Sequence, residues 1–113
     1  MAYRVREFSK NVPAGTAVVI GALAVPSNSR IALLGVANYA DNQSIWGSGI
    51  WRVRRNNIPV SPYDEIKDPI GGGTLASPAE GIEFKGGDLL DILCENALAV
   101  DVKMGMIIDF DQG

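Results

Sequence analysis

The sequence predicts an all-β fold: an antiparallel two-sheet β-sandwich of the jelly-roll type. Three observations carry this. From Leu98 to Phe110 every second residue is apolar (Leu98, Val100, Val102, Met104, Met106, Ile108, Phe110), the period of a strand with one buried face. The 13 glycines and 6 prolines are spread along the chain, where they punctuate runs of about 8–12 residues. No segment shows a convincing helical period. A lone sheet of this size would leave one apolar face in water, so two sheets must pack together. An immunoglobulin-like sandwich is the second choice, and the Cys…Trp…Cys spacing it normally shows is absent.

The strands follow in order. Tyr3 to Phe8 reads as a first strand or extended arm, and Asn11 to Gly15 as a turn. Thr16 to Val25 is a continuous apolar run, read as a buried strand ended by Pro26-Ser27-Asn28-Ser29. Arg30 to Tyr39 is the third strand, followed by a polar loop at Asp41–Ser44. Ile45 to Arg55 is the fourth, turned or bulged at Gly47-Ser48-Gly49. Asn56-Asn57 suits a two-residue hairpin turn, because asparagine tolerates positive φ. Ile58 to Ile66 holds two prolines, which confines any strand there to a short or edge position. Asp68 to Pro78 is a loop, and Gly81 to Lys85 a strand before a tight turn at Gly86-Gly87. Asp88 to Glu95 is the next strand. Asn96-Ala97 reads as a second hairpin turn into the final strand, with Gly105 as the point where that strand bends or bulges.

At 113 residues the chain is one domain, 1–113, with residues 1–10 as an N-terminal strand or arm. That length supports a core without metals or disulfides. The only cysteine, Cys94, shares an apolar face with Leu90 and Ile92 and reads as a buried thiol. There is no histidine, which removes the usual general base. No cofactor, metal site or catalytic set is expected. Thr16 to Val25 mimics a signal peptide, but Glu7, Pro13 and Gly15 interrupt its approach, and it is too short to cross a membrane as a helix. Neither a signal peptide nor a transmembrane segment is expected.

The net charge of −3 hides a polarity. Residues 1–55 carry seven basic residues against Glu7 and Asp41, and residues 56–113 carry three against eleven acids. Either strands of the two halves alternate and the charges mix, or one subunit carries a basic and an acidic patch. Separate patches favour head-to-tail contact between copies, as in a cyclic trimer.

The best surface candidates are Trp46, Arg52, Arg54 and Arg55, joined by Tyr3, Arg4 and Arg6 of the N-terminal strand. Tryptophan and arginine are enriched where interfaces carry binding energy. Strand alternation puts Arg52 and Arg54 outward and Trp51 and Val53 in the core. Asp64, Glu65 and Asp68, like Asp109 with Asp111, read as solvated charges without metal-loop spacing. Gly71-Gly72-Gly73-Thr74 lacks the lysine and the helix of a phosphate loop. Asn42-Gln43-Ser44 is a glycosylation sequon.

Gly81-Ile82-Glu83-Phe84-Lys85-Gly86-Gly87-Asp88-Leu89-Leu90-Asp91-Ile92, followed by Asn96, resembles the apolar-x-Phe-x-x-Gly-Asp-x-Leu strand pair of small jelly-roll proteins on tailed-phage virions. Pro13-Ala14-Gly15-Thr16 and Trp51-Arg52-Val53 before the Asn-Asn turn are similar to the same family. The resemblance implies a non-enzymatic capsid cement or decoration protein on the virion surface, a homotrimer. Its partners would be the major capsid protein and copies of itself, with no nucleic acid and no membrane. Reversing Arg52 and Arg54 to glutamate is then expected to leave the fold intact and abolish assembly. The alternative is a glycan-binding module or head-fibre adhesin domain, with Tyr39, Trp46 and Tyr63 as an aromatic platform near Asp41, Asn42 and Asp64.

Overall fold

The computed structural model describes residues 2–70 and 81–113. Its strands are β1 (Ala2–Val12), β2 (Ala17–Ala24), β3 (Arg30–Ala40), β4 (Gly49–Arg55), β5 (Ile58–Pro59), β6 (Ile82–Lys85), β7 (Leu89–Asn96) and β8 (Val102–Gln112). A 3-10 turn at Gln43–Ile45 precedes β4. Sheet I has the order β1-β8-β3-β6 and sheet II the order β2-β7-β4-β5. All neighbouring strands are antiparallel. Among the described residues only β4 and β5 form a local hairpin, and the other consecutive strands lie in opposite sheets, which is the eight-stranded jelly-roll topology.

The sheets close on one core. Phe8, Val12, Ile31, Leu33, Val36, Phe84, Met104, Met106 and Ile108 come from sheet I, and Trp51, Val53, Leu90, Ile92 and Cys94 from sheet II. Each fully buried large side chain contributes about 1.5–3 kcal/mol. Trp51 is the largest, and its indole Nε1 donates across the core to the Gly105 carbonyl at 3.1 Å. Cys94 is buried as expected, and burial pushes its thiol up to a pKa above the range where a thiolate forms.

Several expectations hold in detail. Asn56 and Asn57 have φ of 51° and 69° and turn the β4–β5 hairpin. The proline-rich stretch after them supplies only a two-residue edge strand. The connection at Gly86-Gly87 turns on Gly87, with φ of 91°. The loop read at Gly71–Thr74 lies outside the described residues.

Four expectations are corrected. The final strand begins at Val102 rather than Leu98, and Val100 is exposed. Asn96-Ala97 is not a hairpin turn, because β7 and β8 lie in different sheets. Buried Asn96 instead ties the crossover down: its amide donates to the Val12 and Val100 carbonyls, and its oxygen accepts from Leu98 N–H. Gly105 does not bulge β8, whose register with β1 and β3 runs through it unbroken. The glycine is needed because the Tyr39 ring lies against it, and a Cβ would fall 2.3 Å from Cζ. The irregularities lie in β2 around Ile20 and in β3 around Leu34. Finally, β2 is not a buried strand. It is an edge of sheet II, with Ala17, Val19, Ala22 and Ala24 exposed.

The topology decides the question of charge polarity. Basic β1 pairs with acidic β8, and basic β4 with acidic β7. The two halves of the chain therefore interleave, and no patch corresponds to either half.

Candidate functional site

The two outer faces of the sandwich follow from the register. On sheet II, Ala17, Val19, Ala22 and Ala24 of β2 stand beside Glu95, Leu93, Asp91 and Leu89 of β7. Next to these come Ile50, Arg52 and Arg54 of β4, then Pro59 of β5. Eight of these twelve positions are apolar. This is the reverse of the polar outer face that antiparallel sheets commonly present to water. The apolar run in β2 arises here: its inward residues pack on the core and its outward residues remain uncovered.

The charged residues on this face divide into two pairs. Arg54 and Asp91 are direct cross-strand partners, joined by two parallel hydrogen bonds, Nε to Oδ1 at 2.7 Å and an Nη to Oδ2 at 2.8 Å. Asp91 is only 3% exposed although it points away from the core. The hydrogen bond to Asp91 holds the Arg54 guanidinium above its ordinary pKa. A fork of this kind is rigid and desolvated. Arg52 sits one two-residue step from Arg54 on β4, opposite Leu93, and Glu95 two steps from Asp91 on β7, opposite Ile50. Among the described residues their side chains have no ion-pair or hydrogen-bond partner.

The expected interface residues do not form one patch. Arg52 and Arg54 face outward and Trp51 and Val53 inward, as strand alternation requires. Arg54, however, is committed to Asp91. Replacing it with glutamate would set two carboxylates together in a desolvated site, so the double reversal of Arg52 and Arg54 cannot be a fold-neutral test. Arg55 turns inward, its guanidinium 5.1 Å from the Phe84 ring centroid. Trp46 lies at the opposite end of β4, stacked on Trp51 with centroids 5.0 Å apart and donating to Gln43 Oε1. Tyr3, Arg4 and Arg6 belong to β1, the edge of sheet I. Arg4 and Arg6 share the parity of core residues Phe8 and Val12, yet are exposed. Tyr3 and Val5, of the other parity, are 55% and 56% exposed. The first turn of β1 therefore overhangs the core, with both faces in solvent. Arg6 lies 5.3 Å from the Phe8 ring centroid.

The outer face of sheet I is different. Tyr3 Oη donates to Asp109 Oδ2 at 2.9 Å, and Tyr39 Oη donates to Glu7. The Tyr39 strap crosses β8 at Gly105. The Asp109 carboxylate raises the Tyr3 pKa, chiefly through that hydrogen bond. Burial and the hydrogen bond to Glu7 raise that of Tyr39. A shallow cleft of about 170 Å³ lies at the edge of this face between Arg30, Ala32, Glu83 and Asp111.

The aromatics proposed for a glycan platform are not assembled into one. Tyr63 is 4% exposed, Trp46 is stacked against the core, and Tyr39 lies along sheet I. Asn42 of the sequon caps the 3-10 turn by accepting from Ser44 N–H. Asp88, in the Gly-Asp turn, accepts from Lys85 N–H and Asn56 Nδ2, joining the β6–β7 connection to the β4–β5 hairpin. These bonds lower its pKa. Among the described residues no cluster of three His, Cys, Asp or Glu side chains could hold a metal, and no helix is long and apolar enough to cross a membrane.

The searches of family models and of curated proteins found no match to the chain.

Proposed function

We propose that this chain is a non-enzymatic structural protein of a phage virion, a cement or decoration protein that binds the capsid surface and copies of itself. The observation that carries the reading is the outer face of sheet II, a broad apolar surface around a rigid Arg54–Asp91 fork. Contiguous exposed apolar surface on a folded domain marks a place where another macromolecule sits. The resemblance of Gly81–Ile92 to virion jelly rolls supplies the kind of assembly, and a trimer is the stoichiometry it implies.

A second surface supports the same reading. The overhanging end of β1 presents Tyr3, Arg4, Val5 and Arg6 clear of the core. In this reading it reaches the capsid lattice, and acidic groups on the major capsid protein receive Arg4 and Arg6. Nucleic acid and membrane have no part in the contact, and the protein resides on the capsid surface.

The test is co-sedimentation with expanded phage heads lacking the protein, followed by thermal disruption of the loaded heads. Saturable binding that raises the disruption temperature supports the reading. Arg4→Glu with Arg6→Glu should weaken that binding at least tenfold and leave the melting of the isolated chain unchanged. No binding at any concentration would sink it.

A further inference from the structure

We propose that the outer face of sheet II is covered by a second copy of this chain, through a two-fold contact in which each Arg52 meets the other copy's Glu95. The inference deepens the reading above by assigning one partner to one surface. It has its own test, because self-association and capsid binding are measured separately.

Three observations lead to it. The first is self-complementary charge. Arg52 and Glu95 occupy adjacent strands one two-residue step apart, a diagonal separation of about 7–8 Å. They make no ion pair with each other or with any described residue. A two-fold axis lying in the face and passing between them brings each arginine opposite the second copy's glutamate and sets Leu93 against its counterpart. Both charges are then paired by one operation, as a self-complementary contact requires.

The second observation is shape. The β2 positions are Ala17, Val19, Ala22 and Ala24, so this side of the face is low. The large aliphatic side chains, Leu89, Leu93 and Ile50, lie along β7 and β4. Such a surface packs against another sheet at about 10 Å without long side chains to clear. Arg54 is folded down onto Asp91, so the fork adds no mobile charge to be desolvated.

The third is area. Three strands of seven or eight residues cover about 25 Å by 14 Å, and the two-residue β5 adds little, giving about 400 Å² on each copy. The total of about 800 Å² is that of a weak, reversible contact, so the association is expected to depend on concentration.

The experiment is light scattering and sedimentation across a concentration series, for the full chain and four variants. The wild type is expected to show a mass of two copies, or six if the two-fold contact is combined with the trimer. Arg52→Glu and Glu95→Arg should each weaken self-association at least tenfold, and Leu93→Glu should abolish it. Arg52→Glu combined with Glu95→Arg should restore it, because the pair is re-formed with reversed sign. Thermal melts of each variant show that the fold is retained. A wild-type monomer at all concentrations overturns the proposal. So does a strict trimer indifferent to Arg52→Glu, or a charge-swapped chain no better than the single variants.

Discussion

On the outer face of sheet I, Tyr3 reaches Asp109 and Tyr39 reaches Glu7, so hydroxyls bond carboxylates of other strands, while Asp109 Oδ1 is buried without a partner among the described residues. On the outer face of sheet II, among the described residues, bonding between outward side chains is confined to Arg54 and Asp91, and apolar side chains surround it. Both faces belong to one sandwich and share the same pleat. The first carries these bonds between its strands, although Val5, Ala32, Ala37 and Ile107 also lie on it. The second leaves apolar area and two opposite charges, Arg52 and Glu95, without partners among the described residues. Exposure alone would not have separated the two faces; the inventory of what each side chain bonds does.

The largest expected effect is on the fork. Arg54→Ala leaves Asp91 desolvated and unpaired and should lower stability by about 3–5 kcal/mol in urea denaturation. Replacing both partners, Arg54→Met with Asp91→Leu, should recover most of that loss. A cost below about 1 kcal/mol for Arg54→Ala would mean the fork behaves as an ordinary surface pair, and the contrast between the faces would weaken.

Next is the strap on sheet I. Gly105→Ala drives a methyl into the Tyr39 ring and should cost about 1–3 kcal/mol. Tyr39→Ala in the same chain should relieve part of it, since the ring is what the methyl meets. Additive losses would show that the glycine serves some other need.

The faces should also separate by pH. The folded-state pKa values of Tyr3 and Tyr39 lie above the ordinary 10.0. Their contribution is complete below about pH 10 and is lost as pH rises through the folded values. Arg54 stays charged across that range, so the sheet II fork persists. Melting temperature should therefore fall with pH above 10, with a gentler slope in Tyr3→Phe and Tyr39→Phe chains.

The smallest effect is at acid pH. Asp88 has a folded value below its ordinary 3.8, so its contribution is complete above about pH 4 and disappears as pH falls through the folded value. Asp88→Asn should remove that part of the acid slope in melts between pH 5 and 2, leaving the slope above it unchanged.

The jelly roll was legible because its strands carry a two-residue period and its turns carry Gly, Pro and Asn. Asn56-Asn57 was the clearest, since a hairpin turn demands positive φ from local residues alone. The sheet-crossing connections were harder. Nothing local distinguishes Asn96 as a buried anchor from Asn96 as a hairpin turn, because the Val12 carbonyl it meets is 84 residues away. Gly105 was misread for a similar reason: its neighbour Tyr39 comes from another strand. At the candidate site, alternation placed Arg52 outward. The pairing of Arg54 with Asp91 depends on strand register, which the sequence does not display. One signal was present and misassigned. The unbroken apolar run of Thr16–Val25 suits burial on both faces, whereas β2 is an edge strand whose outward Ala17, Val19, Ala22 and Ala24 are exposed.

One comparison of native masses separates the two outer faces. Leu93→Glu and Ile107→Glu place the same charge at a central outward position of sheet II and of sheet I. Measured by light scattering beside the wild type, Leu93→Glu should halve the mass of the assembly with the fold retained, and Ile107→Glu should leave its mass unchanged. If the mass falls only for Ile107→Glu, or is the same in all three chains, sheet II is not the surface on which copies meet.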